Sequence, residues 1–198
     1  MTIQMMAPRP TGGWDGRELL DADFDSLGDA DDHGPWVDAA PFRAHVRHLM
    51  AETGVAWRTI AVLADVPSQS VDHLLRGRNG RPVPRLHPLI AERLFHLTRT
   101  AVADSAHRQI HAARTQRLLQ YLAARGWVVR DLSRRTRIPE GQLADLVAGR
   151  SAACSQLVAA TVKAAAQALW DLRPATGPVQ PSQLERRTEG TRVMMAAA

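Results

Sequence analysis

Ser68, Gln69, Ser70 and His73 lie within six residues of one another, and their side chains can make hydrogen bonds without carrying a fixed charge. Gln69 has the shape to pair with N6 and N7 of an adenine. The serine hydroxyls suit phosphate oxygens or base edges, and His73 stands one helical turn further on. Asp72 is the one acid among them. Arg58 precedes this group, and Arg76, Arg78, Arg81 and Arg85 follow it, four guanidinium groups in ten residues. Polar readers beside clustered arginines make a surface suited to nucleic acid, with the cations on phosphates or in a narrow minor groove. Gly80-Arg81-Pro82 also resembles the core of a minor-groove AT-hook segment. Phosphate contact alone is the plainer expectation for that loop.

Such residues need a scaffold, and the apolar spacing supplies one. Between Trp57 and Arg78, Ile60, Ala61 and Ala64 fall on one side of a short helix, and Val66 follows a three-residue turn. Val71, Leu74 and Leu75 then form the inner stripe of a second helix. That is helix-turn-helix spacing: small Ala61 lets the helices cross closely, and the second helix is left with a polar outer face for a major groove. A helix beginning at Pro67 also points unpaired backbone amides at a phosphate. Upstream, Asp38 can cap a helix that runs through Ala39, Ala40 and Pro41 and carries Phe42, Val46, Leu49 and Met50 up to Gly54. Downstream, residues 76–85 hold too much glycine and proline for a helix. A helix from about Pro88 to Leu97 brings Leu89, Ile90, Leu94 and Phe95 to close the core.

A shift of 72 residues superposes this unit on a second one. Ala51 meets Ala123, Gly54 meets Gly126, Arg58 meets Arg130, Pro67 meets Pro139, Leu74 meets Leu146, and Gly77-Arg78 meets Gly149-Arg150. Ile60, Val66, Val71 and Leu75 face Leu132, Ile138, Leu143 and Val147, so the core stripe repeats as well. Ser105 to Arg125 reads as one long helix bearing Ile110, Leu118, Tyr121 and Leu122, its first part a connector. A closing helix from about Leu157 to Leu172 carries Val158, Val162, Leu169 and Trp170. The second outer face is a poorer reader, because Glu140, Gly141 and Gln142 open it and Asp145 replaces His73. Arg130, Arg134, Arg135, Arg137 and Arg150 can still hold a DNA backbone. Self-association as a dimer or auxiliary phosphate binding suits this copy better than base reading.

The segments Val37-Asp38-Ala39-Ala40, Trp57-Arg-Thr-Ile-Ala, Val66-Pro-Ser and Leu74-Leu-Arg-Gly-Arg are followed by a second unit from Gly126-Trp127 to Ala168-Leu-Trp-Asp. Together they resemble the tandem helix-turn-helix proteins common in actinobacteria and their phages. The resemblance covers residues 36–172 and implies DNA binding. Repressor-like relatives usually place a glycine in the turn; here Asp65 and Arg137 stand there, and arginine tolerates a left-handed conformation less well than aspartate.

Charge divides the chain of 198 residues, whose total is +5. Residues 1–34 hold eight acids against two arginines, residues 35–99 nine arginines against five acids, and residues 100–173 eleven basic residues against five acids. The expected organisation is therefore a disordered acidic tail (1–34), helix-turn-helix unit 1 (35–99), connector helix and unit 2 (100–173), and a disordered C-terminal tail (174–198). The acidic tail is a solubilising leader or an arm that competes with DNA for the basic bodies. The fold class is all-α, with 45% hydrophobic residues to build the cores. With one cysteine, no apolar run of membrane length and no basic-then-apolar start, a cytoplasmic, nucleoid-associated protein with no membrane contact is expected.

His45 with His48, and His107 with His111, have the helical spacing of a zinc pair, but neither pair has a cysteine or third ligand nearby. Solvated histidines are expected, with no metal and no cofactor. Cys154 has no cysteine partner. No phosphate-cradling glycine loop, nucleophile elbow or carboxylate pair stands out, so an enzyme is not expected. The function expected is a double-stranded DNA-binding transcriptional regulator. Its rivals are a helix-turn-helix adaptor protein and a sequence-nonspecific nucleoid protein.

Overall fold

Asp38 sets the start of the first unit. Its Oδ1 accepts from the Ala40 N–H at 3.0 Å, and Pro41 occupies a first-turn position that needs no N–H donor. The computed structural model describes residues 36–172 and Pro174; the acidic leader 1–34 and the tail beyond Pro174 lie outside the described residues. β1 (Val37–Asp38) leads into α1 (Ala40–Thr53), which Gly54 ends at φ 67° with its N–H on the Met50 carbonyl. α2 (Trp57–Leu63) and α3 (Ser68–Arg76) follow, joined by a tight turn. β2 (Arg85–Leu86) returns antiparallel to β1, pairing Val37 with Leu86, and α4 (Pro88–His96) closes the unit. Val46, Leu49, Ile60, Ala61, Val71, Leu74 and Leu94 form one apolar core.

The second unit repeats that order, and among the described residues the chain is all-α apart from four short strands. α5 (Arg99–His107) connects. β3 (Gln109–His111), α6 (Ala113–Ala124), α7 (Val129–Thr136), α8 (Glu140–Val147), β4 (Ala153–Ser155) and α9 (Gln156–Leu169) complete it. β3 pairs with β4, placing Ile110 opposite Cys154, and a second core gathers Leu118, Leu122, Leu132, Leu143, Leu146 and Val162. The span Ser105 to Arg125 is therefore two helices with a strand between them, not one helix. The Arg108 N–H caps α5 on the Asp104 carbonyl, and residues 109–111 spend their backbone groups on β4. The first copy has the equivalent ribbon at Val37–Asp38, paired with Arg85–Leu86.

Two smaller differences follow from helix geometry. Phe95 is 68% exposed, and the inner positions of α4 are Ala91 and Leu94, with Leu97 just beyond its end. Phe95 stands one residue from that stripe, hence about 100° round the helix. The closing helix ends at Leu169 rather than Leu172.

α9 joins the units. Val162, Ala166 and Leu169 belong to the second core, while Ala160 and Ala164 are also buried although they fall on the opposite side of the helix. A helix buried on two sides needs two partners. α9 packs along α6 within its own unit and along α2 of the first.

Candidate nucleic-acid interface

The turn between α2 and α3 fixes where the polar face of α3 points. Asp65 adopts φ 53°, and Arg93 Nη1 holds it twice, donating to the Asp65 carbonyl and, at 2.9 Å, to its Oδ2. The equivalent Arg137 adopts φ 60° without such a clamp. There the turn is tied by hydroxyls: Ser133 donates to the Ile138 carbonyl at 2.7 Å, and Thr136 to that of Leu132 at 2.7 Å. Both copies thus keep the left-handed residue that a glycine would ordinarily supply.

At the start of α3, Ser68 is partly buried and donates to Gln167 Oε1 of α9 at 2.9 Å, so this hydroxyl is engaged within the chain. Gln69 is exposed in the first turn, while Ser70 and His73 are partly buried. At the other end, the guanidinium groups of Arg58 and Arg76 lie 4.5 and 5.7 Å from the ring centroid of Trp57, which brings the two arginines together across α2 and α3. Arg76 Nε also stands 3.3 Å from Asp72 Oδ1.

Beyond α3 the chain makes a two-residue hairpin. The Arg78 N–H donates to the Arg81 carbonyl at 2.9 Å, the Arg81 N–H donates back at 3.1 Å, and Asn79 (φ 53°) and Gly80 (φ 75°) form the tip. Asn-Gly with two positive φ angles is the type I′ turn that suits strand twist. The tripeptide that resembles an AT-hook core is thus the second half of a hairpin tip. Arg78, Arg81 and Arg85 are exposed and have no carboxylate partner among the described residues, whereas Arg76, Arg93, Arg99 and Arg150 each have one.

Sequence reasoning passed over Arg43 and Arg47. Arg43 donates from Nε to the Leu74 carbonyl and from Nη2 to the Val83 carbonyl, both at 2.7 Å, and Arg47 reaches the Leu75 carbonyl at 3.4 Å. They satisfy orphan carbonyls at the end of α3 and pin the loop after it. Their spacing of four on α1, opposite a helix that ends in glycine, was the available signal.

In the second copy Arg150 donates from Nε and Nη2 to Asp145 Oδ1, at 2.9 and 2.5 Å. Its counterpart Arg78 has no such bond. Arg135 lies 5.1 Å from the Trp127 ring centroid, and Arg130, Arg134, Glu140 and Gln142 are exposed. Two of the four histidines at zinc-pair spacing make hydrogen bonds within the chain. His45 Nε2 is 3.0 Å from the Leu97 carbonyl, and His111 sits in β3, off the helix that carries His107, where its Nδ1 accepts from the Ala113 N–H. No helix among the described residues is long and apolar enough to cross a membrane. No family model, curated protein or solved structure matches the chain.

Proposed function

We propose that this chain is a non-catalytic, double-stranded DNA-binding protein of the cytoplasm that regulates transcription at the nucleoid, with α3 of the first unit in the major groove. The observation that carries the reading is an exposed Gln69 at the start of an amphipathic α3 followed by Arg78, Arg81 and Arg85, whose charges are exposed and uncompensated. Base reading falls to Gln69, with Ser70 and His73 beside it; Ser68, bonded to Gln167, contributes to the groove only if that bond opens. Arg58 joins the hairpin arginines as a phosphate ligand, Arg76 does so only in competition with Asp72, and Arg130 and Arg134 extend the basic surface on the second unit. Arg150, paired with Asp145, has less to offer a phosphate. Self-association through the second unit would use surface other than the two buried sides of α9, at Val162 and Ala166 and at Ala160 and Ala164.

Titration of the full chain against a duplex at several salt concentrations tests this. If Arg58, Arg78, Arg81 and Arg85 each neutralise one phosphate, log affinity falls against log salt with a slope of about −3 to −4. A slope near zero would favour the adaptor. Equal affinity for a genome-selected site and its scrambled version would favour the nonspecific nucleoid protein.

A further inference from the structure

Between the two units lies a cleft of about 730 Å3, within the range of roughly 300–1,000 Å3 common for small-molecule sites. α9 lines it with Leu157, Val158, Ala165 and Leu169, and Met50 and Ile138 extend the apolar lining from either unit. Cations rise from both sides: Arg58 from the first unit, Arg135 and Arg137 from the second. No carboxylate lines the cleft, and none of these three arginines has a carboxylate partner among the described residues. Two of them are held in place by rings, Arg58 over Trp57 at 4.5 Å and Arg135 over Trp127 at 5.1 Å.

This combination narrows the ligand. A neutral apolar molecule would cover the floor and leave three guanidinium groups without an acceptor. Inorganic phosphate would satisfy the cations and leave the apolar floor wet. We propose that the cleft binds a small amphipathic anion, a carboxylate on an aromatic or aliphatic body, with its head on the arginines and its body on α9. Planar guanidinium groups match a carboxylate in bidentate fashion, and the apolar body gains from the area it removes from water. Because Arg58 and Arg135 belong to different units, the ligand bridges them and stabilises their packing by mass action. Arg58 is shared with the DNA-binding reading, but Arg135 is not among the phosphate ligands proposed there, so Arg135→Gln tests the cleft independently of duplex binding.

Anilinonaphthalenesulfonate, an aromatic body with one anionic group, is a suitable probe for the full chain, with the uncharged phenylnaphthylamine as its control. One saturable site per chain with enhanced emission is expected, from which decanoate displaces the probe. Arg58→Gln and Arg135→Gln should each weaken binding about tenfold or more, the scale of a lost charge-assisted hydrogen bond. The uncharged control should bind at least as much more weakly. Ala165→Phe, which fills the cleft and leaves the cations in place, should abolish binding, and the variants of half-buried Arg58 and exposed Arg135 decide the matter if that protein does not fold. Probe affinity indifferent to both arginines, or an uncharged control that binds equally well, would overturn the proposal. So would displacement by a short duplex but not by decanoate, since the cleft would then be a phosphate track.

Discussion

Alanine at Gly77 and at Gly149, equivalent positions in the two copies, should have unequal effects. Gly77 sits at φ 85°, ψ 176°, a region essentially confined to glycine that costs about 1–3 kcal/mol for other residues. A Cβ there would also lie 2.3 Å from the backbone oxygen of Arg81. That atom belongs to the hairpin and cannot move without loss of the two Arg78–Arg81 backbone hydrogen bonds, about 0.5–1.5 kcal/mol each. Gly149 has φ 72° and no atom within 4 Å of its virtual Cβ, so its replacement meets only the left-handed penalty of roughly 1–2 kcal/mol. Gly77→Ala should therefore be the more destabilising by about 1–3 kcal/mol. Urea unfolding of the two full-length variants measures the difference. Gly77→Ala should also lower duplex affinity, because the hairpin presents Arg78 and Arg81, while Gly149→Ala should leave it within about twofold, since Arg150 is already committed to Asp145. Equal losses of stability would mean that the hairpin is not closed as described.

Leu74, 1% exposed, should cost about 2–5 kcal/mol when cut to alanine, whereas Phe95→Ser, on an open face, should stay within about 0.5 kcal/mol; urea midpoints test both. Arg137→Gly should raise stability by about 1 kcal/mol by relieving a left-handed arginine. Asp65→Gly should gain nothing, because it discards the ion pair with Arg93; thermal melts compare the two. Gln69→Ala should relax base preference by about 1–3 kcal/mol with little change in nonspecific affinity, while Gln142→Ala should leave preference unchanged. Binding to a preferred and a scrambled duplex at two salt concentrations decides between the copies.

The core was legible because its periodicity is regular. Ile60, Ala61, Val71 and Leu74 read as an inner stripe and are all buried, and the shift of 72 residues carries that stripe onto Leu132, Leu143 and Leu146. What escaped the sequence depends on partners far along the chain. The β3 strand inside the expected long helix exists because residues 153–155 pair with it, and helical periodicity carries no record of that. The sequence reading of α9 followed one apolar stripe and passed over Ala160 and Ala164 on its other side, where alanine offers little hydrophobic signal but permits close helix packing. The Asn79-Gly80 dipeptide is by itself a hairpin signal. Ser68, expected on the free outer face of α3, is partly buried and bonded to Gln167, because α9 docks against the first residue of that helix.

The two copies share a core pattern and differ in their surfaces. In the first, the closing helix α4 turns Glu92, Arg93 and Phe95 outward, and the hairpin leaves its guanidinium groups without partners. In the second, the loop between α8 and β4 is shorter and has no hairpin, Arg150 is neutralised by Asp145, and the closing helix is five residues longer than α4 at 14 against 9 residues. α9 packs on α2 while it still serves its own core, with Ala160 and Ala164 buried on the side away from Val162 and Ala166. A helix whose opposite sides are both buried cannot be withdrawn from either unit without exposing apolar surface. The first helix-turn-helix is consequently held from behind along α2 and at the first residue of α3, while Gln69, Arg76 and the hairpin remain open. The second copy thus supports the first from behind, through the packing of α9 on α2 and the Ser68–Gln167 hydrogen bond.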